Sequence, residues 1–280
     1  MKLIPFGLRK VPALGMGTWY MGEDPDRRSQ EIKALRAGME RGMTLIDTAE
    51  MYGEGLAEKL VGEAIKSSPR EELTIVTKVY PWNASREKMR TSLENSLRRL
   101  QTDYVDMYLL HWRGDIPLEE TVEAFEQLKV EGKLRAWGVS NFDVADMAEL
   151  EAITTDCATN QVLYNMDSRG TEFDLQPWMR GRNMPMMAYT PLGHGNTVQS
   201  KFTTNPVLQE IAVGHKCSVF QLLLAWCIRS GDVIAIPKSG NPEHVKANVK
   251  ALDILLSEEE LNLIDALFPQ PKIKVPLEEL

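Results

Sequence analysis

The chain has 280 residues, 43% hydrophobic and 26% charged, the composition of an ordinary globular protein large enough to bury a substantial core. Its formal net charge of −8 excludes the broad basic footprint that nucleic-acid binding needs, while leaving room for a local cationic pocket. No apolar run reaches the roughly 18 residues of a membrane span, residues 1–10 lack the apolar segment of a secretory signal, and the three cysteines Cys157, Cys217 and Cys227 lack metal-ligand spacing, so a cytoplasmic protein with structural thiols is expected.

In chain order, Leu3–Arg9 is read as a small hairpin that closes the bottom of the fold, and Ala13–Thr18 as the first main strand. Arg27–Gly42 carries Ile32, Leu35, Ala37 and Met39 and stops at a glycine, a common residue just past a helix end. A strand over Met43–Asp47 and another over Leu73–Lys78 precede Ser85–Leu100, where Met89, Leu93, Ser96, Leu97 and Leu100 recur at helical spacing. A strand at Tyr104–His111 leads to a helix at Leu118–Glu131, which follows Pro117 and ends before Gly132. Four more strands are expected at Leu134–Ser140, Ala158–Gln161, Met184–Tyr189 and Val233–Pro237. Ser257–Phe268 opens with Ser-Glu-Glu-Glu, a capping-box pattern, and Pro269 follows it, so an extra C-terminal helix is expected.

Eight strands alternating with helices, without a linker or repeat, predict a parallel α/β fold. They predict one domain over residues 1–280, closed as a (β/α)8 TIM barrel.

The strand ends carry the chemistry. They read Gly17-Thr18, Asp47, Lys78, His111, Ser140-Asn141, Asn160-Gln161, Tyr189-Thr190 and Pro237-Lys238-Ser239. Each residue alone has an ordinary explanation: Asp47 as a turn cap, Lys78 as a solvated strand end, His111 as a satisfied core histidine, Tyr52 as packing. Barrel closure brings all of these ends to one rim, where active sites of such folds lie.

There an ammonium beside a phenol favours the phenolate and lowers the phenol's pKa, and a carboxylate keeps the lysine charged. The phenol can then give a proton to a developing alkoxide, with the histidine orienting the carbonyl. No side chain supplies hydride, so reduction needs a nicotinamide or flavin. Ser140, Asn141 and Gln161 suit a carboxamide, Tyr189 a flat ring, and Lys238 and Ser239 a phosphate, helped by the helix after Pro242. A metal hydrolase needs clustered ligands, and only His111 and Asp47 qualify, so no metal is expected.

These segments resemble the aldo-keto reductase family over nearly the whole chain. The resemblance is carried by Gly15-Met16-Gly17-Thr18, Leu45-Ile46-Asp47-Thr48-Ala49-Glu50-Met51-Tyr52-Gly53, Thr77-Lys78-Val79 and Tyr108-Leu109-Leu110-His111-Trp112. Gly138-Val139-Ser140-Asn141-Phe142, Asn160-Gln161-Val162, Ala188-Tyr189-Thr190-Pro191-Leu192-Gly193 and Ile236-Pro237-Lys238-Ser239 continue it in the same order.

The resemblance implies an NADP(H)-dependent oxidoreductase acting on small carbonyl substrates as a monomer, closest to short bacterial reducers of methylglyoxal and other small aldehydes. It implies a catalytic tetrad of Asp47, Tyr52, Lys78 and His111, with Tyr52 the general acid. Cofactor contacts fall on Gly17, Thr18, Asp47, Ser140, Asn141, Gln161, Tyr189, Thr190, Leu192, Lys238, Ser239, His244 and Asn248. His244 stands where many relatives have an arginine that meets the 2′-phosphate, so the preference for NADP(H) rests mainly on Lys238 and Ser239. Trp19, Trp82, Trp112 and Phe142 are expected to wall an apolar substrate pocket. The short segments Gly193–Lys201 and Lys272–Leu280 do not suggest a large lid.

Two rival readings have different signatures. A Rossmann dehydrogenase needs a third glycine after Gly15-Met16-Gly17, and Tyr20 occupies its place. A nicotinamide-binding redox sensor or regulatory subunit would not require all four tetrad residues.

Overall fold

The structure, a computed structural model, describes residues 3–280. Strands β1 (Leu3–Phe6) and β2 (Arg9–Pro12) pair antiparallel, Ile4 opposite Val11, as the expected hairpin, extended to Pro12. Eight parallel strands then follow as one sheet: β3 (Met16–Gly17), β4 (Leu45–Asp47), β5 (Thr74–Val79), β6 (Val105–Leu110), β7 (Leu134–Ser140), β8 (Asn160–Leu163), β9 (Met186–Tyr189) and β10 (Val233–Ala235). Each pairs with its successor, as right-handed β-helix-β units require.

The first and last strands meet and close the ring. Bridges join Leu14 to Ala235 and Gly17 to Lys238, and Gly15 N donates to Ala235 O at 2.9 Å. This seam depends on glycine: a Cβ on Gly17 would stand 2.7 Å from Ile236 O. Because Leu14 only bridges, the expected strand Ala13–Thr18 pairs regularly over Met16–Gly17 alone. Ala158–Gln161 is likewise displaced toward the C-terminus, to Asn160–Leu163.

The outer layer is α1 (Pro25–Met39), α2 (Leu56–Ala64), α3 (Arg86–Leu100), α4 (Leu118–Val130), α5 (Val144–Ile153), α6 (Leu175–Arg180), α7 (Gly195–Thr203), α8 (Pro206–Gly214), α9 (Val219–Cys227), α10 (Pro242–Val249) and α11 (Glu258–Leu267). Local chemistry sets the ends. α1 starts earlier than Arg27 because Asp24 caps it, accepting from Asp26 N at 3.0 Å, and Pro25 supplies a preset first-turn φ. Ser85 caps α3, and Ser257 with Glu260 forms the capping box of α11. Between β9 and β10 the chain makes α7, α8 and α9 rather than a single crossover helix.

Strand alternation divides the core in two. Ile46, Ile75, Tyr108, Trp137, Val139 and Val162 point outward and pack under the helices. Leu45, Val76, Met107, Leu109, Ala136 and Ile234 point inward and fill the barrel, with Ile4, Phe6 and Val11 of the hairpin joining them from below. The inside is therefore filled by side chains up to the strand ends, and one cavity opens above them while another lies at the hairpin side, lined by Gly7, Leu8, Ala136 and Ala158.

Candidate active site

The same alternation selects the residues of the rim. Two positions beyond inward Leu45 comes Asp47, beyond Val76 comes Lys78, beyond Leu109 comes His111, and beyond Met187 comes Tyr189. Each is the next inward position along its strand. An apolar strand interior thus forces the polar end residue over the barrel axis. Tyr52 arrives differently, in a tight turn after β4 whose next residues, Gly53 and Glu54, both have positive φ.

Lys78 is fully buried and donates from Nζ to Asp47 Oδ2 at 2.8 Å, Thr48 O at 2.9 Å and the Tyr52 hydroxyl oxygen at 2.9 Å. An ammonium has three protons and no lone pair, so its whole capacity is committed. The Tyr52 oxygen is the acceptor in that contact, and its own proton remains free to point elsewhere. Gln161 Nε2 donates to the second Asp47 oxygen, Oδ1, at 2.8 Å. The carboxylate is thus held from both sides, as a buried charge must be.

Burial raises the Asp47 carboxyl above its usual range, with Lys78 opposing, and lowers the Lys78 ammonium, with Asp47 opposing. Burial, reinforced by the Asp47 charge, holds the Tyr52 phenol well above the usual tyrosine value. The lowering expected from Lys78 does not emerge here: loss of water and then the Asp47 charge both act to raise the phenol. The consequence is a phenol that keeps its proton at neutral pH. Burial, then the Lys78 charge, pushes the His111 imidazole well below its usual value, so it is neutral. Its Nδ1 is buried without a partner, and its ring meets Tyr52 edge-on at 5.8 Å between centroids.

A cavity of about 390 Å³ opens above these groups. Gly17, Thr18, Ser140, Asn141, Tyr189, Thr190, Leu192 and Lys238 line it with Asp47, Tyr52 and His111, three of the four residues of the expected tetrad; Lys78, the fourth, lies behind them. Asn141 and Thr190 hold positive φ, 58° and 48°, uncommon for non-glycine residues and for β-branched threonine a strain. Asn141 Nδ2 donates to His111 O at 3.1 Å and its Oδ1 accepts from the Tyr189 hydroxyl at 3.0 Å. Ser140 Oγ donates to Gln161 O at 2.8 Å. These bonds fix the second half of the rim relative to the first.

Trp19 and Trp112 wall the cavity as expected. Trp82 and Phe142 do not reach its lining: Trp82 is largely exposed and stacks on Tyr80 at 4.3 Å, and Phe142 is fully buried in the outer core. Both lie past a strand end, where alternation no longer dictates direction. Ser239, His244 and Asn248 also stand away from this cavity, at the loop and helix after β10. Tyr20, Met51, His194 and Glu279 line it without having been singled out. Tyr20 and His194 both stack on Trp19, at 4.5 and 5.7 Å. Adjacency to Trp19 and Tyr52 was the available signal for Tyr20 and Met51; Glu279, far along the chain, gave none.

The donor set fits a nicotinamide dinucleotide. Besides His111 Nδ1, the Thr190 hydroxyl is buried without a partner beside the cavity. Gly193 lies on the same wall with a positive φ of 76°, a backbone conformation that L side chains rarely adopt. Gln161 commits its Nε2 to Asp47 and leaves its carbonyl oxygen as an acceptor. Among the described residues no group of three or more His, Cys, Asp or Glu could hold a metal ion, and no helix is long and apolar enough to cross a membrane.

The model of the Aldo/keto reductase family matches residues 13–268. The chain is 51% identical over 280 residues to the methylglyoxal reductase YeaE of Escherichia coli (strain K12), covering 99% of this chain and 98% of that protein. It is 34% identical to the glyoxal reductase of Bacillus subtilis (strain 168), covering 97% and 94% respectively. Among solved structures, an aldo/keto reductase from Klebsiella pneumoniae in complex with NADP and acetate superposes with a TM-score of 0.96 at 53% identity, covering 100% of this chain and 99% of that one.

Proposed function

The chain belongs to the aldo/keto reductase family, and from that premise we propose that it reduces methylglyoxal and aromatic aldehydes to alcohols, with Tyr52 as the general acid. It is an NADP-dependent oxidoreductase of a (β/α)8 barrel fold acting on small carbonyl compounds. NADPH supplies the hydride when bound. The observation that carries the acid assignment is the direction of one hydrogen bond: Lys78 Nζ donates to the Tyr52 oxygen at 2.9 Å, leaving the phenolic proton free for a substrate oxygen.

The remaining steps belong to the side chains. A carbonyl between Trp19 and Trp112 accepts from the Tyr52 hydroxyl, and neutral His111 can donate to the same oxygen and fix its angle. As charge develops on that oxygen the phenol releases its proton, and the adjacent ammonium stabilises the phenolate left behind. Asp47 keeps the lysine charged and in place. Ser140, Asn141 and Gln161 are suited to the carboxamide and Tyr189 to the face of the nicotinamide ring. Gly17, Thr18, Thr190 and Leu192 suit the ribose and pyrophosphate, with Lys238, Ser239, His244 and Asn248 toward the adenosine end. Every proposed group comes from one chain, which supports action as a monomer, and we place that action in the cytoplasm.

Steady-state oxidation of NADPH with methylglyoxal, 4-nitrobenzaldehyde and a panel of ketones tests the reading. Turnover with both named aldehydes is expected. Cofactor binding without turnover across the panel would overturn it in favour of a sensing or regulatory subunit.

A further inference from the structure

Two cations near the start of α10 have no structural task. Arg28 pairs with Glu63 and Lys246 with Glu243, whereas Arg27 and Lys238 enter no ion pair among the described residues. His244 on the first turns of α10 lacks the fixed charge of a guanidinium. A ribose 2′-phosphate carries about −1.5 to −2 charges, more than one lysine offsets.

Helix packing places Arg27 beside Lys238. A Cβ on Gly38 would stand 3.0 Å from Val245 Cγ1, and one on Gly240 would stand 3.0 Å from Glu31 Cγ. Moving back along α1 from Gly38 to Glu31 thus matches moving back from Val245 to Gly240, so α1 runs parallel to α10. Arg27 lies one turn before Glu31 on the same face, roughly 6 Å further toward the rim. That height is beyond the first residue of α10, Pro242, and level with the loop carrying Lys238 and Ser239. Helical side chains lean toward the helix N-terminus, which carries the guanidinium further over that loop.

Two anions lie near this place: Glu31 is buried and committed, accepting from Gly22 N at 2.8 Å, and Glu23 is close enough to act on Lys238. The Lys238 ammonium is held below its usual range by burial; Glu31 and Glu23 oppose this and the Arg27 charge adds to it, as expected of two cations sharing one space.

We propose that Arg27 is a specificity-determining residue, forming with Lys238 a two-cation clamp for the 2′-phosphate of the cofactor. The clamp rests on the NADP(H) assignment above. It supplies from the first helix the charge that position 244 lacks, and explains why both cations stand unpaired.

Tryptophan-fluorescence titration with NADPH and NADH, on the wild type, Arg27→Ala and Arg27→Lys, tests the clamp without relying on turnover. Arg27→Ala is expected to weaken NADPH about tenfold and leave NADH within about twofold, with Arg27→Lys between the two. The NADPH loss should shrink as salt rises, since the lost contact is ionic. Unchanged NADPH affinity, or equal losses for both cofactors, would overturn the clamp while leaving the cofactor assignment standing. A wild type that binds NADH as tightly as NADPH would overturn both.

Discussion

Lys78 Nζ and the Tyr52 hydroxyl oxygen stand 2.9 Å apart although 26 positions separate them in the chain. The lysine reaches the centre because it is the next inward residue after Val76 on β5. The tyrosine reaches it because a turn containing three positive-φ residues, Gly53, Glu54 and Gly55, folds back over the end of β4. Neither element alone makes the contact, and each of the three lysine protons has one acceptor.

Tyr52→Phe removes the proton donor while keeping the ring that Lys78 Nζ approaches to 4.6 Å from its centroid. Carbonyl reduction should fall about 10²- to 10⁴-fold in kcat, with NADPH affinity within about twofold of wild type. Initial rates and a fluorescence titration on the same preparation check both halves. Wild-type turnover in this variant would remove Tyr52 from the acid role.

Lys78→Met strands the Asp47 carboxylate in the barrel with only Gln161 beside it. The loss should be about 3–5 kcal/mol at neutral to alkaline pH. Burial already raises the Asp47 carboxyl with the lysine present, and it would rise further without it. A folded-state pKa above the unfolded one gives stability that is intact below the unfolded value and lost as pH rises through the folded value. The deficit relative to wild type should therefore be smaller at about pH 5 than at about pH 8. Urea unfolding at the two pH values measures it; equal deficits would show that the carboxyl does not carry the penalty.

Gly17→Ala tests the closure of the ring. The new methyl would meet Ile236 O at 2.7 Å, a backbone atom that cannot swing aside. Destabilisation of about 1–3 kcal/mol is expected, together with faster amide exchange at Gly15 and Ala235, whose bonds form the seam. Wild-type stability and exchange would mean that the two strands are not held this closely.

The eight strands and their polar ends were legible because a buried parallel strand is a short apolar run, and a titratable residue closing such a run is conspicuous in Leu-Ile-Asp or Leu-Leu-His. The ends of Ala13–Thr18 and Ala158–Gln161 were not, since seam geometry and neighbour register decide them. Trp19 and Trp112 were read correctly as cavity walls, while Trp82 and Phe142 were not. A large aromatic beyond a strand end can turn to solvent, core or cavity, and only packing decides. The phenol's pKa direction also escaped the sequence, because proximity to Lys78 is visible in a motif and the extent of desolvation is not.

Asp47, Tyr52, Lys78 and His111 all precede residue 112, while most of the residues suited to the dinucleotide, from Ser140 to Asn248, follow it; the hydrogen bond from Gln161 to Asp47 spans 114 positions. On a ribosome, the half of the ring carrying Asp47 and Lys78 emerges first, with that ion pair still lacking the amide that completes it. Premature release at that stage yields a polypeptide holding Asp47, Tyr52, Lys78 and His111 without the strands that complete the cavity around them, so the ring closes only when the last strand brings Lys238 to Gly17.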